Sequence, residues 1–174
     1  MSKYCLGLDI STSVIGYCYS SDANKIDCAG FVDIKKFTTF REKAHYVSDK
    51  LSEFKIKDVC KIIVEDTLSG FGGGRTSQQT IVKLAKCNAI VSYVIEELYG
   101  IPVDHVNVST LRKAVFGKSR EKGLDSKEFV KFNLDNMLDL SDFIYYNSRN
   151  NYDKKNYDML DAVVASLYHW YSLK

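Results

Sequence analysis

The chain has 174 residues, enough for one hydrophobic core and too few for two comfortable domains. Its 45% apolar and 26% charged residues are the balance of a globular protein, and no run reaches the roughly 18 apolar residues a membrane span needs. The net charge of +2 neither demands nor excludes a nucleic-acid partner.

The apolar stretch after Met1-Ser2-Lys3 is interrupted by Asp9 and carries no small-residue cleavage site, so it reads as a strand and not as a secretion signal. Cys5, Cys18, Cys28, Cys60 and Cys87 form no C-x-x-C pair, and no two of His45, His105 and His169 are four residues apart. The cysteines read as small buried hydrophobes, and a zinc enzyme is not expected. These features fit a reducing compartment, cytoplasmic or DNA-associated, and not secretion.

In chain order, residues 3–10, 14–20 and 26–34 read as three strands joined by short turns, an antiparallel meander. A helix follows, with Phe40, Ala44, Val47, Leu51 and Phe54 on its apolar stripe and Arg41, Lys43, Asp49, Lys50 and Glu53 elsewhere around it. Val59–Glu65 is a fourth strand. A Gly-rich loop, 69–75, precedes a long helix that Thr76 or Ser77 can cap and Gly100 can end. Pro102 opens a fifth strand, Val103–Val108, where its missing N–H does little harm. Helices are expected from Thr110, from Ser126 and from Asn156 to Ser172, with a polar loop at 117–125. The pattern implies a single α/β domain over residues 1–174, a mixed sheet with helices on its faces.

Four carboxylates stand out by position. Asp9 lies in an otherwise apolar strand, Glu65 ends the fourth strand, and Asp158 and Asp161 are three apart on one face of the last helix. A buried aspartate is costly unless something positive or hydrogen-bonding meets it. Acids from three separate elements are what an oxygen-ligand Mg²⁺ site requires, and two such ions can clamp the attacking and leaving oxygens of a phosphodiester. Taken singly, each acid also has a structural reading: a turn cap for Asp9, a lysine pair for Glu65, a helix-dipole partner for Asp158. Strand alternation lets only one of Glu65 and Asp66 line such a site, and the residues leave that choice open.

Basic side chains crowd the stretch from Arg112 to Lys131, a solvated face or a phosphate-binding one. The glycines at 70 and 72–74 would let backbone approach a phosphate, with Arg75 beside them, but no Gly-Lys-Ser/Thr follows, so a nucleotide loop is excluded. The long helix is apolar on more than one face (Ile81, Leu84, Ala85, Ala89, Val91, Val94, Ile95, Leu98), which suits either a core or a partner subunit.

Four segments in order carry a resemblance. Leu6-Gly7-Leu8-Asp9-Ile10-Ser11-Thr12-Ser13 with Gly16-Tyr17, Ile62-Ile63-Val64-Glu65, Val108–Gly117 leading to Lys127, and Asp158-Met159-Leu160-Asp161-Ala162 resemble the motifs of RuvC-type Holliday-junction resolvases. The Gly-rich loop with Arg75, Lys83 and Lys86 looks closest to that family's phage and poxvirus branch. The resemblance implies an RNase H-like fold, three antiparallel strands followed by two parallel ones, flanked by helices. It selects Glu65 over Asp66. It implies a two-ion Mg²⁺ site, with Mn²⁺ able to substitute, in which Asp9 bridges, Glu65 and Asp161 hold one ion each and Asp158 completes the shell. It further implies DNA contacts from Arg75, Lys83, Arg112, Lys113 and Lys127, four-way junctions as substrate, and a homodimer through helix 76–99. Sugar kinases and actin-like ATPases share the first motif but need a second domain. Another RNase H-like nuclease (RNase H or YqgF-like) and a non-catalytic branched-DNA-binding module are the remaining alternatives.

Overall fold

The computed structural model describes residues 3–66 and 77–173. β-branched and aromatic runs form β1 (Tyr4–Ile10), β2 (Val14–Asp22) and β3 (Lys25–Asp33), followed by α1 (Phe40–Ser52) and β4 (Val59–Asp66). Then come α2 (Gln78–Tyr99), β5 (Val103–Asn107), α3 (Val108–Phe116), α4 (Ser126–Asp135) and α5 (Asn156–Ser172). The sheet order is β3-β2-β1-β4-β5, antiparallel across β1–β2–β3 and parallel across β1–β4–β5. This is the mixed α/β sheet the pattern implied. Among the described residues no helix is long and apolar enough to cross a membrane.

Alternation along the strands builds two cores. Leu6, Leu8 and Ile10 of β1, with Ile62 and Val64 of β4, pack against Val47 and Leu51 of α1 and Val91 and Ile95 of α2. Cys5 and Ile63 face the other way, onto Met159, Ala162 and Val163 of α5, with α3 and α4 outside. Asp9 shares the parity of Cys5, and Glu65 that of Ile63, so both carboxylates belong to the α5 side.

Local chemistry sets the boundaries. Thr39 and Glu42 form a reciprocal capping box on α1, Ser77 caps α2, and Gly100 ends α2 at φ 69°. Three details differ from the sequence expectation. The third helix starts at Val108, not Thr110, because the Asn107 side chain accepts from the Ser109 N–H and makes Asn107 the cap. Phe54 lies past the end of α1, although its ring still packs 5.1 Å from Tyr17. Lys43 is not on a solvated face: it is buried, and its Nζ donates to the Thr12 carbonyl, tying down the turn after β1.

Residues 136–155, for which no element was expected, hold a 3₁₀ turn (Ser141–Phe143) and a small hairpin closed by a Tyr146–Tyr152 bridge.

Candidate active site

Two glycines decide how α5 meets the sheet. A Cβ on Gly7 would stand 2.2 Å from the Ala162 carbonyl oxygen, and one on Gly16 would stand 1.9 Å from that of Asp158. Only bare backbone at these positions lets the α5 main chain lie on β1 and β2. Asp9 pairs with Gly16 across the β1–β2 ladder, so the same close approach that seats α5 carries Asp158 to the level of Asp9. On the other side Leu8 lies opposite Val64, which puts Asp9 and Glu65 side by side on neighbouring strands.

Sequence reasoning gathered these four acids by motif. The reason they meet is the pair of glycines, whose signal was a small residue two before Asp9 and another at its cross-strand partner.

The site is largely buried and rich in acids. Asp9 is 8% exposed and Glu65 7%. Burial, reinforced by the charges of Glu65, Asp161 and Asp158, pushes the Asp9 carboxyl well above the usual carboxylate range. Burial and the neighbouring Asp161 charge push Glu65 up to about 8, against the downward pull of the Arg112 guanidinium. Asp161 and Asp158 are also raised, each mainly by burial. Asp9, Glu65 and Asp161 are each also raised by the charge of a neighbouring acid, so the cluster is short of positive charge.

The cations nearest them are protein groups. Arg112 Nη2 donates to Asp161 Oδ1 at 3.1 Å and Nη1 to Ser126 Oγ at 2.7 Å. Lys127 is exposed, yet its charge lowers Asp9, Asp158 and Asp161 alike, and its Nζ lies 5.1 Å from the centroid of the Tyr157 ring.

The donor set fits a hard divalent cation, since it is all carboxylate oxygen and its mutual repulsion is what such an ion relieves. As the side chains stand, no three acid, histidine or cysteine groups among the described residues close around one point as a metal-holding group. Arg112 occupies one oxygen of Asp161.

The expected DNA-contact residues are distributed differently. Arg112 does not offer its charge to solvent: it is 7% exposed and committed to Asp161 and Ser126, because α3 turns it inward against α5. Lys113, its neighbour, is exposed. Lys83 is exposed on α2, one turn before Cys87, whose Sγ donates to the Ser11 carbonyl at 3.5 Å. It therefore belongs to the Asp9 end of the sheet but to the face opposite α5. Arg75 lies outside the described residues.

No family model and no curated protein matches the sequence. Solved structures do match. Thermus thermophilus RuvC, solved in complex with a Holliday-junction substrate, superposes with a TM-score of 0.65 at 14% identity, over 98% of this chain and 94% of that one. The yeast mitochondrial Holliday-junction resolvase Ydc2 gives 0.58 at 16%, over 98% and 78%. The fowlpox virus resolvase, with its junction DNA, gives 0.50 at 15%, over 98% of each chain.

The fold is that of the RuvC-type resolvases. In this RuvC-type frame the four acids stand on the first and fourth strands and the last helix, and 98% of the chain takes part in the match.

Proposed function

We propose that the chain is a structure-specific endonuclease that resolves four-way DNA junctions. The observation that carries this reading is the meeting of Asp9, Glu65, Asp158 and Asp161, from three elements, in a largely buried, acid-rich site on a RuvC-type fold. Carboxylates buried beside one another cost stability unless a cation joins them.

Asp9, Glu65, Asp158 and Asp161 would hold two Mg²⁺ ions, or Mn²⁺ in their place, which polarise the scissile phosphate and lower the pKa of water when bound. The protein's own work is to bring the acids together and hold them in place. Arg112 fixes Asp161 from behind the site, and the buried Lys43 holds the Ser11–Ser13 turn that leads away from Asp9. Lys127, exposed at the rim, meets a phosphate approaching the acids, and Lys113 and Lys83 extend the cationic surface.

A four-way junction has two-fold symmetry, and a homodimer presents two such sites to it. The surface for the second copy is α2. Its inner face buries Cys87, Val91 and Ile95, while Val82, Ile90 and Tyr93 stand exposed on the outer one.

A metal-dependence assay on four-way and linear DNA, with Asp9→Asn alongside, tests the proposal. Cation-dependent cleavage of the junction, lost in the variant, is expected. Junction binding without cleavage under any divalent cation would favour a non-catalytic branched-DNA-binding module, and cation-dependent cleavage of linear duplex or RNA–DNA hybrid in preference would favour another nuclease of this fold.

A further inference from the structure

The hairpin ahead of α5 has no part in the site described so far, yet it is built with care. Asn156, fully buried at the start of α5, grips the main chain of Tyr145 twice: its Nδ2 donates to the Tyr145 carbonyl at 2.7 Å and its Oδ1 accepts from the Tyr145 N–H at 3.0 Å. The tip is closed by Asn147, whose Oδ1 accepts from the N–H groups of Arg149 and Asn151 at 2.9 and 3.1 Å. The loop is thus fixed to the helix that carries Asp158 and Asp161.

Its aromatic rings form a ladder leading away from those acids. Tyr157 lies 5.5 Å from Tyr152, and Tyr152 6.5 Å from Tyr146, between ring centroids. Lys127 stands over the first ring and Lys131 over the second. The last rung, Tyr146, is 59% exposed. It borders an open groove of about 610 Å³ with Tyr152, Lys131, Met137, Leu138 and Ile144. Two acids, Asp135 and Asp139, also line the groove. Asp135 is paired with Lys131 at 2.8 Å, and Asp139 accepts from the Ser141 N–H. Arg149 and Lys154 add exposed positive charge along the hairpin.

Resting on the junction-nuclease reading, we infer that this hairpin is a stacking platform for an unpaired nucleobase at the DNA branch point, with Tyr146 as its base-stacking residue. Aromatic faces flanked by cations hold single-stranded nucleic acid, because every base has a π-face and every nucleotide a phosphate. In a duplex the base faces are already covered by their neighbours. A branch point is where a strand can leave the stack within reach of the acids, and the ladder from Lys127 to Tyr146 starts at those acids and ends in solvent.

Fluorescence anisotropy with a labelled four-way junction in EDTA tests this, using wild type, Tyr146→Ala and Tyr146→Phe. The junction is used intact and with abasic residues at the branch point, and a linear duplex is titrated in parallel. Tyr146→Ala is expected to weaken junction binding about tenfold, the scale of one lost stack, with Tyr146→Phe unaffected and linear duplex unchanged. Removing the branch-point bases should cost wild type a similar factor and Tyr146→Ala nothing further. Junction binding by Tyr146→Ala within about twofold of wild type, or an abasic penalty as large in the variant as in wild type, would overturn the inference while leaving the nuclease reading intact. Wild type that binds junction and linear duplex equally would overturn both, and is recognised without any variant.

Discussion

Arg112 and Asp161 form an ion pair at 3.1 Å with both side chains largely withdrawn from solvent. A guanidinium so placed is part of the site's framework and not of its exposed surface. Removing one partner of a buried pair leaves the other charge uncompensated, so Arg112→Ala is expected to cost about 3 kcal/mol or more in urea unfolding. Were Arg112 a phosphate contact, the variant would instead lower the salt dependence of DNA binding by about one unit of slope. That slope is expected to stay at its wild-type value for Arg112→Ala and to fall for Lys113→Ala and Lys127→Ala. The opposite pattern would return Arg112 to the DNA surface.

Asp9 is buried among three other acids, and burial keeps its proton on well above the usual carboxylate range. Asp9→Asn removes the cost of either ionising or protonating a carboxyl there. The variant is expected to melt at a higher temperature than wild type in EDTA, to bind junctions at least as tightly, and to lose cleavage. A lower melting temperature together with lost cleavage would mean that the carboxylate serves the fold, and the assignment of Asp9 to catalysis would fall.

Gly16→Ala examines the link between packing and chemistry. The new methyl would lie 1.9 Å from a main-chain oxygen of α5, which cannot move as a side-chain tip can. The helix must lift from the sheet, at about 3 kcal/mol in stability. Because Asp158 rides on the lifted turn, activity should fall further than the folded fraction does. Activity proportional to folded protein would separate the glycine from the site.

The outline of the fold was legible because the strands carry their own alternation and the helices their own caps, as at Thr39, Ser77 and Gly100. The acids were legible as motifs, since Asp9 interrupts an apolar strand and Glu65 ends one. Three things were not. Arg112 and Lys43 sit in charged-looking stretches, and nothing local tells a buried cation from a solvated one: burial depends on which way α3 and α1 roll against their neighbours. The hairpin at 145–152 has few apolar residues and no periodicity, and its order comes from Asn156, a single amide eleven residues beyond Tyr145. The seating of α5 is the third: the glycine two before Asp9 and the one across the ladder are visible, but only the fold shows the α5 main chain lying against both.

The raised carboxyls also set a pH profile. Glu65 holds its proton up to about 8, whereas in the unfolded chain it releases it near 4.5. Between those values the native state binds the extra proton, so stability must fall as pH rises. Asp9, Asp158 and Asp161 act with the same sign, and His169, lowered by burial, opposes them. In EDTA the melting temperature of wild type is expected to decline from about pH 5 to pH 8, less steeply in Glu65→Gln, with Mg²⁺ restoring it most at the upper end. A profile for Glu65→Gln that overlays wild type would show that Glu65 is not the group responsible.

The last prediction joins assembly to product. Val82, Ile90 and Tyr93 lie at steps of eight and three along α2, one stripe of the helix, and Tyr93 is 61% exposed. An isologous contact between two such stripes would bury them and relate two sets of carboxylates by a two-fold axis, the symmetry of a four-way junction. One site cuts one strand, so a dimer is needed for paired nicks at symmetrical positions. Ile90→Asp with Tyr93→Glu places charge in the middle of that contact without touching the inner face of α2, where Cys87, Val91 and Ile95 are buried. The double variant is expected to keep its far-UV circular dichroism, to shift in sedimentation from dimer to monomer, and to nick single strands of a junction without releasing two linear duplexes. Strand mapping on junctions labelled one arm at a time reads the difference. A wild-type protein that sediments as a monomer and still makes paired symmetrical nicks would remove α2 from the mechanism, and a double variant that stays dimeric would move the interface elsewhere on the chain.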